Sequence, residues 1–133
     1  MTKLSGSCMC GSVQYEIAGD LRDVIGCHCS LCRKSSGHYT AATAVAPENL
    51  TLLISSGLKW YRSSGVAQRG FCDDCGSTLF WQPDHQKHIS IFAGTLDDQT
   101  NLFLTSHICT DEKGDYYTIE EKTVGSVSRE PMS

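Results

Sequence analysis

The chain has 133 residues, a formal charge of −4 and a pI near 5.6, which suits one compact domain, expected to run over residues 1–124 with a polar tail over 125–133. The acidic balance argues against a nucleic-acid partner held by phosphate neutralisation, and the 40% apolar content excludes a disordered chain. No apolar run approaches the ~18 residues that cross a bilayer, so no membrane partner is expected.

Short strands dominate the reading. Val13, Tyr15 and Ile17 alternate with polar neighbours, the pattern of a half-buried strand. Leu21, Val24 and Ile25 have helical spacing, but Gly26 ends that pattern within two turns. Tyr39–Val45 predicts a strand, and Pro47–Leu50 a single turn of helix. Thr51–Ile54 and Leu58–Tyr61 follow as strands across a Ser55-Ser56-Gly57 turn. Ser77–Trp81, the Ile89/Ile91 alternation, Leu102–Leu104 and Tyr116–Ile119 complete the series. With no long amphipathic helix, a mainly β, mostly antiparallel architecture is expected.

Eight cysteines are far above ordinary usage, and seven fall in three tight clusters: Cys8/Cys10, Cys27/Cys29/Cys32 and Cys72/Cys75. Met1–Ser7 lacks the apolar core of a secretory signal, so a cytoplasmic, reducing location is expected. There, closely spaced thiols serve as metal ligands rather than as a disulfide framework. Spacing permits two arrangements. Cys29, Cys32, Cys72 and Cys75 could form a single zinc ribbon. Alternatively, all seven could form one four-cysteine and one three-cysteine site, as when Cys8/Cys10 join Cys72/Cys75 and the Cys27–Cys32 stretch wraps a second ion on a surface loop. Four thiolates close a zinc tetrahedron, whereas three leave a position open. Gly76 after Cys75, and Gly11 after Cys10, suit knuckles that need positive φ.

Gly6-Ser-Cys8-Met-Cys10-Gly11, Cys27-His-Cys29-Ser-Leu-Cys32-Arg33-Lys34 and Gly70-Phe-Cys72-Asp-Asp-Cys75-Gly76-Ser77 together resemble the glutathione-dependent formaldehyde-activating enzyme (GFA) family. Gly94-Thr95-Leu96-Asp97 and Ser106-His107-Ile108 extend the resemblance, which spans about residues 5–110. It implies an Mss4-like, zinc-pinned β fold (a β-tent) with little helix and two zinc ions per chain. By the same resemblance, Cys8, Cys10, Cys72 and Cys75 would hold a structural zinc, and Cys27, Cys29 and Cys32 a catalytic one. The implied activity is that of a carbon–sulfur lyase joining glutathione, or a similar thiol, to formaldehyde or another small aldehyde to give an S-hydroxymethyl adduct. A thiol entering the open zinc position would be ionised there.

Other residues read more plainly. Arg33 and Lys34 are expected as a solvated basic pair before an anchor for substrate carboxylates, and His28 as a solvent-facing residue before a proton shuttle. His107 is expected to be structural, and His85 with His88 would make a poor third metal site. Trp60, Tyr61, Phe80 and Trp81 read as core aromatics, and Cys109 as a small buried hydrophobe. The rival function is a non-enzymatic zinc module that binds a protein partner.

Overall fold

The computed structural model describes residues 3–85, 87–120 and 126–127. Eleven strands and one α-helix follow in the order β1 (Lys3–Ser7), β2 (Gln14–Ala18), β3 (Val24–Cys27), α1 (Ser30–Ser36), β4 (Thr40–Val45), β5 (Leu50–Ile54), β6 (Leu58–Arg62), β7 (Ala67–Cys72), β8 (Thr78–Pro83), β9 (Ile89–Phe92), β10 (Leu104–Ile108) and β11 (Ser126–Val127). They form a three-stranded sheet, β1-β2-β5, and an eight-stranded sheet, β11-β10-β3-β4-β9-β8-β7-β6. Pairing is antiparallel throughout, except that β10 runs parallel to β3 and to β11. The mainly β architecture with little helix is as expected. The proposed tail over 125–133 lies outside the described residues apart from Ser126 and Val127, which pair with His107 and Ile108.

Alternation located β2 well: Tyr15 and Ile17 are buried while Gln14 and Glu16 are half-buried. The helical spacing of Leu21, Val24 and Ile25 misled. Val24–Cys27 is a strand with all four residues buried, lying between β4 and β10. A strand covered on both faces carries no period-2 signal. The helix lies further on, at Ser30–Ser36, where only Cys32 is buried and no apolar stripe marks it. Its ends define it instead: the Cys29 side chain caps the Cys32 amide, and Gly37 closes it at φ 85°. Pro47–Asn49 makes the expected single turn, in 3-10 form.

Strands β1 and β7 were not anticipated. In β1, Lys3-Leu-Ser-Gly-Ser lacks β-branched residues, and Gly6 is required by Tyr15, whose ring atom would lie 2.0 Å from a Cβ there. In β7, Gln68 and Arg69 interrupt the apolar run. The expected strand at Tyr116–Ile119 is irregular chain, because its tyrosines bond to histidines rather than to a ladder.

Buried side chains form two clusters. One, containing Tyr15, Ile17, Leu79, Phe80 and Ile91, includes Cys8 and Cys72; the other, containing Ile25, Ala42, Trp81, Phe92 and Ile108, includes Cys27, Cys29, Cys32 and Cys109. Each cysteine cluster is therefore built into its own apolar core. Trp60 packs against the first core, whereas Tyr61 is 65% exposed and belongs to neither, correcting the expectation for that residue.

Candidate functional site

Cys8 and Cys10 follow β1, Cys72 ends β7, and Cys75 lies on the turn into β8. The fold brings their four sulfurs within 4.8 Å of one another. Sγ–Sγ separations are 3.8 Å for both Cys8–Cys10 and Cys10–Cys72. Sulfurs at ~2.3 Å from a central zinc define a tetrahedron with edges of about 3.8 Å, so the donor set fits the ion. Each pair lies on a knuckle. Cys8 N donates to Val13 O at 3.0 Å, Val13 N donates to Cys8 Sγ at 3.2 Å, and Gly76 N donates to Cys72 O at 2.7 Å. Gly11 and Gly76 adopt φ 87° and 81°, as the knuckle reading required. The Ser77 hydroxyl, 3.2 Å from Cys75 Sγ, leads the backbone and thiol contacts that draw the Cys75 pKa down to about 5. Burial, against several local hydrogen bonds, pushes Cys72 up to about 12.

The second set, Cys27, Cys29 and Cys32, comes from the end of β3 and the start of α1, and its three sulfurs also lie within 4.8 Å of one another. The surface loop expected for these residues is not what forms: their exposures are 0%, 2% and 0%. Cys29 Sγ accepts from Cys32 N at 3.4 Å, so one candidate ligand also caps the helix that carries the next. Contacts with Cys29 and Cys32, then burial, push the Cys27 thiol far up. Cys32 is raised on balance, with Cys27 lowering it while Cys29 and burial raise it. Three buried thiols in contact resist ionisation unless a cation joins them, which the donor chemistry of zinc satisfies. Cys109 is buried beside Cys27, in left-handed conformation at φ 55°, but falls outside the mutually close set.

Arg69 escaped the sequence reading. It is 4% exposed, and its Nη2 lies 3.5 Å from Cys32 Sγ. A single arginine in an undetected strand gives no local signal; only the sheet places it beside the thiols.

His28, expected in solvent, is fully buried. Successive residues on extended chain face opposite ways, so it turns from the thiols on either side of it. Its ring stacks on Tyr39 at 4.4 Å, Nε2 is 2.8 Å from His107 Nδ1, and Nδ1 meets the Tyr117 hydroxyl. Burial first, then His107, His38 and Lys113, hold the His28 pKa down to about 4, and burial lowers His107. With both rings neutral, the Tyr117–His28–His107 chain of hydrogen bonds can run in either direction. Gly26 makes room for it, since a Cβ there would lie 2.8 Å from His107 Nδ1. A cleft of about 220 Å³ opens against this network, lined by His28, Tyr39, His107 and Tyr117 among others. His107 therefore both bonds structurally and lines a cleft.

Arg33 and Lys34 fall in the last turn of α1, half-buried and exposed respectively, where positive charge complements the helix dipole. The His85 and His88 rings lie 5.4 Å apart, tilted by 51°, and neither joins a metal-capable group among the described residues.

The model of the family described as "Glutathione-dependent formaldehyde-activating enzyme" matches residues 3–112. An uncharacterised lyase of Schizosaccharomyces pombe is 27% identical over 125 residues, covering 92% of this chain and 90% of the yeast protein. A Halomonas elongata protein, assigned by name to the glutathione-dependent formaldehyde-activating enzymes, is 26% identical over 129 residues, covering 90% of this chain and 82% of its own. A crystal structure of a Rhodobacter sphaeroides protein shares the fold at TM-score 0.59 and 23% identity, over 74% of this chain and 92% of that one. With that family model spanning both cysteine clusters, the chain belongs to the glutathione-dependent formaldehyde-activating enzyme family.

Proposed function

We propose that the protein is a zinc-dependent carbon–sulfur lyase that adds glutathione, or a similar thiol, to formaldehyde or another small aldehyde. Cys8, Cys10, Cys72 and Cys75 would hold a structural zinc and Cys27, Cys29 and Cys32 a catalytic one, within a single domain over residues 1–124. The supporting observation is the donor count of the second cluster: three mutually close thiols with no fourth in the set. Zinc bound there would supply a coordination position at which an incoming thiol is acidified. The protein's own part is to fix and dry the site. Helix α1 holds Cys29 and Cys32 in register, through the Cys32 amide on Cys29 Sγ. Burial of all three sulfurs keeps bulk water from the reacting groups, which strengthens electrostatic contacts inside. The Tyr117–His28–His107 network anchors the chain between Cys27 and Cys29 from the opposite face.

The test is formation of S-hydroxymethylglutathione from glutathione and formaldehyde, followed by NMR, with zinc counted in the same preparation. The expected result is two zinc ions per chain and a rate above the spontaneous reaction, both reduced in Cys29→Ala. A Cys29→Ala variant with full activity and two zinc ions would overturn the assignment. One observation favours a non-enzymatic zinc module: Cys109, buried beside Cys27, could close the second shell. In that case Cys109→Ser would lower zinc content, and the wild-type protein would show no turnover.

A further inference from the structure

Arg69 projects from β7 onto the face of the large sheet that carries the three thiols, and only 4% of it is exposed. The ion pairs among the described residues, Lys3–Glu16, Lys59–Asp73 and Arg62–Asp84, do not include it. One of its nitrogens, Nη2, lies 3.5 Å from Cys32 Sγ, whereas Nε and Nη1 are buried with no acceptor among the described residues. The ladder continues the pattern. Arg69 stands opposite Trp81 and Trp81 opposite Ser90, so the three share one face of β7, β8 and β9. Trp81 Nε1 and Ser90 Oγ are likewise buried without partners among the described residues. Trp81 packs in the same apolar cluster as Cys27, Cys29 and Cys32.

This arrangement is costly in the free protein. A buried donor without an acceptor is destabilising, and a buried charge without a full set of partners more so. Cys32 meets one nitrogen of the guanidinium only. The remaining donors call for an acceptor that arrives with a ligand, and a fixed guanidinium fork selects an anionic oxygen. The proposed reaction generates one beside the thiols. The thiolate sulfur bonds to the aldehyde carbon, and the C=O π pair moves onto oxygen to give an alkoxide. That oxygen takes a proton from water, and the resulting hydroxide is neutralised by the proton the thiol released. No electrons are transferred overall.

We infer that Arg69 is a catalytic residue whose Nη1–H, on the fork next to the Nη2 that meets Cys32 Sγ, binds the alkoxide oxygen of the thiol–aldehyde adduct. The inference rests on the lyase reading for its reaction, but the anion site itself stands on the orphaned donors. Donors placed where charge develops act on the transition state more than on bound substrate, so their removal lowers kcat and leaves KM nearly unchanged.

The experiment compares wild type with Arg69→Met and Arg69→Lys, each as the full chain with zinc content measured. Arg69→Met is expected to keep two zinc ions per chain, to lose about 10²–10³-fold in kcat, and to change KM for glutathione less than about threefold. Arg69→Lys, with its charge but no fork, is expected to lie between them. Independently of turnover, formate serves as an oxyanion probe: in a Trp60→Phe background it is expected to perturb Trp81 fluorescence, and Arg69→Met to abolish that response. The inference is overturned if Arg69→Met retains kcat within threefold, if formate binds it as it binds wild type, or if activity falls only in step with lost zinc. Should Arg69→Met fail to fold, a folded, zinc-loaded Arg69→Lys with wild-type kcat overturns it equally. A wild type without turnover sinks the lyase reading and the catalytic role together, while the formate response reports whether the anion site exists.

Discussion

On the proposed assignment, the two cysteine clusters would put similar ligands to opposite ends. In the four-cysteine cluster the thiols come from two distant knuckles, and a metal there would fasten the β1 end of the small sheet to the β7–β8 turn of the large one. Its sulfurs are held by local amides and a serine hydroxyl, with Cys10 reaching the surface. In the three-cysteine cluster the ligands come from six consecutive residues, so a metal there would close no long loop. Every sulfur is buried, and a buried guanidinium stands beside them. The contrast teaches that donor count and sequence separation assign different tasks: a staple between distant segments stabilises the fold, whereas a local, incomplete shell contributes little stability and retains chemistry.

The sharpest way to break this comparison is to remove one ligand from each cluster. Cys72→Ser is expected to cost more than about 4 kcal/mol, lowering Tm by more than about 15 °C in calorimetry. Cys29→Ser is expected to lower Tm by only a few degrees while reducing zinc from two ions to one. Equal losses would dissolve the distinction.

Smaller effects probe the support behind the second cluster. In Gly26→Ala the new methyl would press on His107 Nδ1 at 2.8 Å and Tyr39 at 3.1 Å, at an expected cost of about 1–3 kcal/mol in chemical denaturation. Tyr117→Phe removes the hydroxyl from His28 Nδ1 and is expected to cost about 1 kcal/mol, because the buried ring nitrogen loses its partner. If Tyr117→Phe proved neutral, the network would not anchor the ligand segment.

The smallest effect lies away from both clusters. Burial first, with His85 and Arg22 nearby, holds the His88 pKa below its ordinary value of ~6.5. The unfolded chain then binds more protons here than the native one. The contribution of neutral His88 is therefore fully present above about pH 6.5 and is lost as pH falls below it. Stability measured across that window should decline less steeply in His88→Gln; an unchanged slope would remove His88 from the account.

Legibility followed the range of the signal. Knuckles are local, so Cys-x-Cys and Cys-x-x-Cys spacing with Gly11 and Gly76 could be read directly, and the positive φ at both glycines agrees. Strand β2 was legible because one face is buried and the other is not. Strand β3 was not, since burial on both faces erases alternation, and α1 was not, since only its caps and Cys32 distinguish it from a loop. His28 was misread for a related reason: a histidine between two ligands has no apolar pattern of its own, and its burial comes from Tyr39, His107 and Tyr117, all distant in sequence except Tyr39.

From the sequence alone come the family, the β character and the division of seven thiols into short-range groups. Which groups meet was left open by spacing, and the sheets decided it, by carrying Cys8/Cys10 to Cys72/Cys75 and leaving Cys27, Cys29 and Cys32 together. The placement of Arg69 was likewise tertiary. Burial and missing partners belong to packed faces, and strand register across β7, β8 and β9 creates that environment only once the sheet has formed.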